Sequence, residues 1–390
     1  MKTLNVILDY NNLAMRALFT CQYMGDANIQ NFDTEEECNI LARKITMDIC
    51  HVMSTFSPDR VILACDVKYP WRHDLYSEID GQSYKGNRTK DEDKNWTNIF
   101  ATFDDVRRIL SERGIVTTQV NRAEADDVAA MWKEYMFDSK NENVILVSSD
   151  KDWTQLVEFN ETNNCFCMCY NPISNNRGKR NLYMSSGANT WLNTKEQPDI
   201  FFTNYNQSKA NINKAIARDP KIGVVVISPE DVLLEKIMCG DDGDNVPTFF
   251  EYYKNGKKQR VTPLKAKHVF ESLEICDVNT LERVIELKEF KDALEKEMRY
   301  EIDIDFNDRL LRQRKLVELD SKFFPDDIKE LFSRHVDDVN GKGYTSNIPN
   351  NMQELLKDTK YITKDFKKSK ENSIFATLDL DKFSKPYTLF

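Results

Sequence analysis

The stretch Val144-Ile145-Leu146-Val147-Ser148-Ser149-Asp150-Lys151-Asp152 places two acids directly after a short β-branched run. A run of this length and composition is typical of a buried strand in a parallel sheet. Ligands of such sheets bind beyond the carboxyl ends of the strands. The stretch therefore predicts an α/β fold with Asp150 and Asp152 in its functional site. The alternative is that residues 148–152 only cap the start of a helix.

The same order of strand and acid occurs earlier in the chain. Predicted strands span residues 4–8, 60–65 and 115–120, and the clearest predicted helices span residues 40–56 and 99–110. Asp9 and Asp66 follow the first two strands, and Glu124, Asp126 and Asp127 open a helix after the third. One fold rule thus brings Asp9, Asp66 and Asp150 to the same edge of the sheet. An alternative for Glu124, Asp126 and Asp127 is that they only satisfy the free N–H groups in the first turn of this helix.

Nine carboxylates form the candidate metal site: Asp9, Asp66, Glu124, Asp126, Asp127, Asp150, Asp152, Asp241 and Asp244. Two carboxylates ~4 Å apart repel by about 4 kcal/mol at an effective dielectric of ~20, so a pocket this acidic needs divalent cations. Oxygen ligands without matching His or Cys favour Mg²⁺ or Mn²⁺ over zinc. Two such ions stabilise both the attacking and the leaving oxygen of a phosphodiester. The acids therefore predict phosphodiester hydrolysis with two metal ions.

Composition predicts a soluble, cytoplasmic protein without membrane contact. With 390 residues, of which 41% are hydrophobic, the chain has room for one large or two ordinary domains. No apolar run approaches the ~20 residues of a membrane helix, and Asp9 precedes any signal-peptide core. Nine cysteines, an odd number, indicate reduced thiols. Cys165, Cys167 and Cys169 share one face of a predicted core strand, with a zinc site as the less favoured interpretation.

The net charge of −10 argues against a nucleic-acid partner, but the basic residues are clustered. One cluster surrounds a helix start at Thr262-Pro263, where exposed N–H groups suit a phosphate backbone. Its members are Lys257, Lys258, Arg260, Lys265 and Lys267. A second lies in the polar segment 74–95, where Tyr84-Lys85-Gly86-Asn87-Arg88 combines a stacking ring with two cations for a single strand. An ordinary surface loop is the alternative for this segment.

The chain divides into three predicted parts. Residues 1–228 form the α/β domain, with the segment 74–95 inserted in it; residues 229–339 form a helical domain, and residues 340–390 form a flexible tail that docks on a partner. In the helical domain, a predicted helix over residues 229–239 leads into Gly240-Asp241-Asp242-Gly243-Asp244-Asn245-Val246-Pro247. As a calcium loop this fails, because Val246 replaces the required glycine. We expect it to supply Asp241 and Asp244 to the metal pocket.

Together these motifs resemble the structure-specific 5′ nucleases, the family of flap endonucleases, the 5′ nuclease domain of bacterial DNA polymerase I and their phage relatives. Asp9-Tyr10-Asn11-Asn12-Leu13 with Arg16 resembles the first metal motif, and Asp66 with Trp71-Arg72 resembles the second. Residues 84–88 resemble the arch motif, 124–127 and 149–152 the central acids, and 240–247 the start of a helix–three-turn–helix. The resemblance covers about 335 residues. Residues 260–265 and 316–328 are similar to the T-even phage ribonuclease H branch, which clears RNA primers.

The resemblance implies a PIN-like, mostly parallel sheet flanked by helices, with a helical arch and a C-terminal helical domain. It implies two Mg²⁺ ions, for which Mn²⁺ can substitute. The tighter ion would be held by Asp9, Asp66, Glu124, Asp126 and Asp150, and the second by Asp152, Asp241 and Asp244, with Asp127 acting through water. Lys85 and Arg88 would contact the scissile phosphate, Tyr84 would stack on a nucleotide, and Arg72 would also contact nucleic acid. The glycine-rich second hairpin of the family is missing, since residues 248–260 intervene.

The implied activity is that of a 5′-to-3′ exonuclease and flap endonuclease in phage replication. Its substrates would be forked DNA and RNA/DNA hybrids, and a monomer would bind single-stranded-DNA-binding protein or a sliding clamp. A binding-only replication scaffold is an alternative, although it predicts missing ligands. A PIN-like RNA endonuclease shares the acidic sheet but leaves the arch motif and residues 240–247 unexplained. A phosphatase that uses Asp9 as its nucleophile is disfavoured by Asn11.

Overall fold

The structure is a computed structural model that describes residues 2–23, 29–76, 84–86, 93–193 and 207–341. Its centre is a mixed, mostly parallel sheet. The strands are β1 (Leu4–Asp9), β2 (Arg60–Ala64), β3 (Val116–Thr118), β4 (Asn143–Val147), β5 (Glu158–Asn160), β6 (Cys165–Ser174), β7 (Arg180–Met184) and β8 (Ile222–Val226). Their order is β3-β2-β1-β4-β6-β7-β8, and β5 lies off this path and pairs antiparallel with β6. The path from β3 to β6 is parallel, whereas β7 is antiparallel to β6.

Helices cover the two faces of this sheet and continue beyond it. They are α1 (Tyr10–Tyr23), α2 (Glu35–Phe56), α3 (Arg72–Tyr76), α4 (Trp96–Glu112), α5 (Ala125–Lys133), α6 (Ser186–Asn193), α7 (Gln207–Arg218), α8 (Pro229–Cys239), α9 (Pro263–Ser272), α10 (Val278–Val284), α11 (Lys288–Met298), α12 (Phe306–Val317) and α13 (Asp326–Gly341). A π-helical turn, Glu134–Ser139, continues α5, and 3₁₀ turns span Lys151–Leu156 and Ser321–Phe323. The predicted α/β fold is thereby confirmed.

The predicted strands and helices agree with the structure to within about five residues at each end. The largest difference is in α2, which begins at Glu35 instead of residue 40. The third strand is shorter than the predicted 115–120, because only Val116–Thr118 pairs with β2. β6 is buried on both faces. Its three cysteines face one core while Phe166 and Met168 face the other, as alternation along a strand requires. Burial raises the pKa of Cys167, and these thiols are part of the core.

A separate hydrophobic core lies among α8 to α12. Helix α13 does not belong to it. Phe332 on α13 packs edge-to-face on Trp132 of α5, with ring centroids 5.2 Å apart, and joins the core of the sheet. The helical segment expected over 229–339 is therefore divided between two cores, and its standing as one domain remains a prediction.

The helix–three-turn–helix region contains an unexpected hairpin. Between α8 and α9, the strands β9 (Glu251–Lys254) and β10 (Lys257–Arg260) form a two-stranded antiparallel sheet. This hairpin occupies the position where the family's glycine-rich turn is missing. The expected arch is described only at residues 74–76, 84–86 and 93–95, and the expected tail lies outside the described residues from 342 onward. None of the described helices is long and apolar enough to cross a membrane.

Candidate metal and nucleic-acid site

The predicted acids Asp9, Asp66 and Asp150 lie at one edge of the sheet, where β1, β2 and β4 end. Asp9 is the last residue of β1 and pairs in register with Ala64 at the end of β2. On its other side, Leu8 pairs with Val147 at the end of β4. Asp66 follows β2 and accepts a 2.8 Å hydrogen bond from the backbone of Ala125 at the start of α5. The strand ends and this helix start therefore bring the acids together, as predicted.

Asp9 is the buried centre of this group. Its carboxylate accepts hydrogen bonds from Ser148 Oγ at 2.8 Å and from the backbone N–H of Asn12 at 3.1 Å. Burial and the negative charge of Asp66 nevertheless raise the pKa of Asp9 to about 7. A positive charge placed beside this carboxylate would lower its pKa and stabilise its charged form.

Asp126 of α5 and Asp152 in the turn after β4 line the same cleft. Burial and the charge of Asp150 raise the pKa of Asp126 well above its usual value. The same two causes raise the pKa of Asp152 to about 6. The indole N–H of Trp153 donates a 2.6 Å hydrogen bond to Asp126 and fixes the orientation of its carboxylate. Asp150 itself is exposed and accepts from the backbone N–H of Asp152 at 3.0 Å.

The loop after α8 adds the remaining two acids, and lysines pair with them. Asp241 and Asp244 line the same cleft as Asp126 and Asp152. The Lys85 ammonium group pairs with Glu124 and lies 3.4 Å from Asp244. Burial alone would raise the pKa of Glu124, but the positive charges of Lys85 and Arg72 outweigh it, so the pKa is lowered.

A second lysine, Lys236 on α8, was not predicted. Its ammonium group lies 2.5 Å from Asp152 Oδ1 and also pairs with Asp241. One sequence feature indicated this pairing. Lys236 is in the last turn of the helix that ends at Cys239, so it lies close to the acids that directly follow the helix.

The carboxylates of the pocket fit a hard divalent cation, but several of them pair with Lys85 or Lys236. The pocket offers carboxylate oxygens, which are the ligands that Mg²⁺ and Mn²⁺ prefer. In the described part of the chain, no group of three or more acid, histidine or cysteine side chains already surrounds a common ion position. Lys85 pairs with Glu124, and Lys236 pairs with Asp152 and Asp241. A cation held by these carboxylates would compete with the two ammonium groups.

Two predicted site residues are structural instead. Arg72 is 1% exposed and forms ion pairs with Glu124 at 3.0 Å and Asp127 at 2.7 Å. Asp127 is fully buried and also accepts from Trp71 Nε1 at 3.0 Å. A guanidinium in this position cannot reach a phosphate backbone, so the expected nucleic-acid contact of Arg72 is corrected. Asp127 faces away from the pocket because it neutralises that arginine, whereas Asp126, one residue earlier, faces the acids.

The arch residues differ from their expected positions. Tyr84 is 3% exposed, and its hydroxyl lies 2.9 Å from Glu124 Oε2 and 3.2 Å from Asp244 Oδ2. Its ring packs edge-on against His73, with centroids 5.5 Å apart, so no face is open to stack on a nucleotide. Lys85 lies in the pocket as predicted, although it binds acids. Arg88 lies outside the described residues.

The predicted basic cluster lies on the hairpin and on α9, and most of its side chains have protein partners. Arg260 binds both oxygens of Asp242, at 2.6 and 2.8 Å. Lys258 pairs with Glu251 at 2.9 Å, and Lys267 lies 3.6 Å from Glu271. Lys265 donates to the backbone carbonyl of Arg260 at 3.0 Å. Lys257 is exposed at the hairpin tip. The basic cluster thus lies on the protein surface, and its contact with nucleic acid remains a prediction.

Comparison with known proteins identifies the family of the α/β part. Residues 4–180 match the family model of the 5′-3′ exonuclease, N-terminal resolvase-like domain. The 5′-3′ exonuclease of Buchnera aphidicola subsp. Schizaphis graminum is 29% identical over 158 residues, which are 40% of this chain and 49% of the relative. The chain thus matches about half the length of that curated relative.

Solved structures share the fold over most of the chain. The T5 5′-exonuclease with bound zinc ions superposes with a TM-score of 0.52 at 17% identity, covering 87% of this chain and 98% of that one. The bacteriophage T5 flap endonuclease, in a pseudo-enzyme–product complex with DNA and metal ions, gives 0.51 at 16% identity, covering 86% and 99%. The solved structures show the fold, and the matched sequence leads to one conclusion about the α/β part: residues 4–180 are an N-terminal resolvase-like domain of the 5′-3′ exonuclease family.

Proposed function

We propose that this protein is a Mg²⁺-dependent 5′-to-3′ exonuclease and flap endonuclease that hydrolyses phosphodiesters with two ions. The observation that carries the proposal is the convergence of acids from distant parts of the chain on one cleft. Asp126 and Asp152 from the α/β core meet Asp241 and Asp244 from the loop after α8. Raised pKa values of Asp9 and Asp152 support it, because this pocket gains stability from added positive charge.

Each acid has a proposed role. Asp9, Asp66, Glu124, Asp126 and Asp150 would hold the first ion, and Asp152, Asp241 and Asp244 the second. When bound, the ions supply Lewis acidity for in-line hydrolysis. Lys85, released from Glu124, would turn to the scissile phosphate together with Arg88. Ser148 and Trp153 would keep Asp9 and Asp126 in position through the hydrogen bonds described above.

The substrate and the setting follow from the family resemblance. The proposed substrates are forked DNA with a 5′ flap and RNA primers in RNA/DNA hybrids, cut during phage replication in the host cytoplasm by a monomer of the ribonuclease H type. The DNA complex of the T5 flap endonuclease supports DNA as a substrate. The domain division at residues 228 and 339 belongs to this proposal, as does docking of residues 340–390 on single-stranded-DNA-binding protein or a sliding clamp.

A single substitution tests this proposal. Asp150→Asn removes one exposed carboxylate from the pocket, and we expect cleavage of a 5′-flap DNA in Mg²⁺ to fall by at least roughly 100-fold. The matched control is Asp292→Asn, at an exposed aspartate of α11. Flap cleavage by Asp150→Asn at the wild-type rate, with normal cleavage by the control, contradicts the assignment of the pocket.

A second candidate function has one observation in its favour. Because Lys85 and Lys236 already pair with acids of the pocket, a scaffold that binds branched DNA without cutting it would need no ions. Wild-type protein incubated with the flap substrate in Mg²⁺ and in EDTA separates the two functions. Cleavage that depends on Mg²⁺ supports the nuclease. Binding without cleavage under both conditions supports the scaffold.

A further inference from the structure

The C-terminal end of α12 forms one wall of the acidic cleft. Residues from this end line the cleft together with four of the pocket acids: Leu316, Val317 and Leu319 with Asp126, Asp152, Asp241 and Asp244. The last four carbonyl groups of a helix have no partner within the helix. Where such groups are shielded from water, other parts of the protein must supply their hydrogen bonds. The residues that do so here show what holds α12 at the cleft.

Two side chains of the α/β part cap this helix end. Arg72 Nε donates to the carbonyl of Leu316 at 3.1 Å. Gln155 Nε2 donates to the carbonyl of Val317 at 3.1 Å, and Gln155 Oε1 accepts from the backbone N–H of Leu319 at 2.9 Å. Arg72 and Gln155 precede the carbonyls that they bind by 244 and 162 residues. The cap is therefore not local, and it fixes α12 to the α/β part.

Gln155 belongs to the same turn as one of the pocket acids. Asp152 and Gln155 both lie in the 3₁₀ turn Lys151–Leu156, three positions apart. Side chains three residues apart eclipse each other in a 3₁₀ turn, so these two leave the chain on the same side. The side chain that binds α12 thus starts next to a carboxylate of the pocket.

One turn earlier, α12 holds the loop that carries the other acids. Gln313 is fully buried, and its Nε2 donates to the carbonyl of Pro247 at 2.6 Å. Pro247 directly follows Val246, whose backbone N–H and carbonyl pair with the backbone of Asp241 at 2.7 and 3.0 Å. These two bonds close the acidic loop. Within about one helical turn, α12 therefore contacts both segments that supply acids to the cleft.

The contacts of the two glutamines differ in kind from those of Lys236. The Lys236 ammonium group pairs with Asp152 and Asp241, carboxylates with which a cation would also pair. The hydrogen bonds of Gln155 and Gln313 go to backbone atoms and use no acid of the pocket. An ion that displaces the ammonium group leaves these hydrogen bonds in place. The glutamines can thus hold the same geometry with and without ions.

We propose that the end of α12, residues 313–319, is a spacer that sets the distance between Asp152 and the loop of Asp241 and Asp244, with Gln155 and Gln313 as its positioning residues. The inference rests on the proposed nuclease function. In that proposal the first ion has ligands from the α/β part alone, whereas the second needs acids from both sides of the spacer. A change in the spacing therefore weakens binding of the second ion and leaves the first unchanged.

The test compares Gln155→Met and Gln313→Met with the wild-type protein. Methionine keeps roughly the length of glutamine and removes its hydrogen bonds. The matched control is Gln22→Met, because Gln22 is a buried glutamine whose Nε2 donates to the carbonyl of Gln30 at 3.2 Å. Gln22 lies in the last turn of α1, about 20 Å along that helix from Asp9.

Binding of Mn²⁺ without substrate is the main readout. Electron paramagnetic resonance of free Mn²⁺ gives the dissociation constant of each ion, and Asp241→Asn identifies which of the two is the second. Urea unfolding in EDTA measures stability separately. Gln155 is only half-buried, so Gln155→Met keeps the test open if the buried Gln313→Met does not fold.

The inference predicts that each spacer variant weakens the second ion by about 10-fold and the first by less than about twofold, as expected for residues that orient metal ligands. The control should bind both ions as the wild type does, although its urea midpoint also falls. Wild-type affinity for the second ion in the spacer variants overturns the inference. Equal weakening of both ions also overturns it, as does the same loss in the control, because each indicates a purely structural role.

Failure of the proposed function gives a different result. If the wild-type protein binds fewer than two Mn²⁺ ions, or cuts no flap DNA in their presence, the proposed two-ion nuclease fails and the inference falls with it. If the wild-type protein binds two ions and cuts, and the second ion binds equally well in the spacer variants, only the spacer inference fails.

Discussion

The ammonium group of Lys236 lies 2.5 Å from Asp152 Oδ1, and thereby joins α8 to the turn that follows the central strand β4. The same group pairs with Asp241. One lysine thus connects acids from the two parts of the chain that form the proposed pocket. It replaces part of the charge that an ion would bring, so protein without metal depends on it for stability.

Lys236→Met is expected to destabilise the metal-free protein. The substitution leaves Asp152 and Asp241 facing each other without a cation, in positions that are mostly shielded from water. We expect a loss of roughly 1–2 kcal/mol in EDTA, measured by urea unfolding, and a smaller loss in Mg²⁺ because bound ions take over the role of the ammonium group. Lys288→Met, at a lysine 84% exposed, serves as the control. Equal stability of both variants in EDTA would contradict this role.

Arg72→Met is expected to be the more damaging substitution. Arg72 is buried between Glu124 and Asp127, and its removal leaves two buried carboxylates unpaired. Such losses cost about 3–5 kcal/mol. Arg122 also has two acid partners, Asp74 and Asp327, but these pairs are exposed. Arg122→Met should therefore cost less than about 1 kcal/mol in the same unfolding experiment. Similar losses for both arginines would show that burial is not decisive.

His51 gives the protein a pH dependence outside the pocket. Arg180 Nη1 lies 2.5 Å from His51 Nε2 and can only donate, so this imidazole is neutral in the folded state. Burial and the charge of Arg180 lower the pKa of His51. The unfolded chain therefore binds more protons than the folded one as pH falls below about 6.5, and folding stability decreases in that range.

His51→Gln keeps an acceptor but cannot titrate. Between pH 7.5 and 5.5, wild-type protein should lose more stability than this variant, by at most about 1.4 kcal/mol, because pH 5.5 lies about one unit below the pKa of an unfolded histidine. The difference between the two proteins isolates His51 from the acids of the pocket, which titrate in both. Urea midpoints at the two pH values provide the measurement. A difference that does not change with pH would refute the assignment.

The positions of the first four strands of the parallel path along the chain, and of the acids that follow them, were predictable from local pattern. The run before Ser148 is apolar because β4 is buried on both faces. Asp9 and Asp66 follow strands of the same parallel sheet, whose carboxyl ends are where ligands bind. What local pattern could not give is the partner of each charge. Arg72 and Asp127 resemble site residues in sequence, and only the packing of α3 against α5 places them in a buried ion pair. Lys236 was missed because its partner Asp152 is 84 residues away.

The hairpin was missed for a different reason. Residues 248–260 were recognised as an insertion that replaces an expected turn, but their basic composition drew attention to phosphate contacts instead of strands. Alternation over four residues is too short to identify a strand reliably. The dipeptide Asn255-Gly256 was the available signal, since it favours a two-residue hairpin turn.

The central claim is that carboxylates from separate segments bind divalent ions in one pocket. Crystals soaked in Mn²⁺ and measured at its absorption edge test it most directly. We predict anomalous peaks about 2.1 Å from carboxylate oxygens of Asp9, Asp150 and Asp241, with Lys236 turned away from Asp152. Crystals without a peak in this pocket, in which Lys236 still pairs with Asp152 and Asp241, would contradict the account.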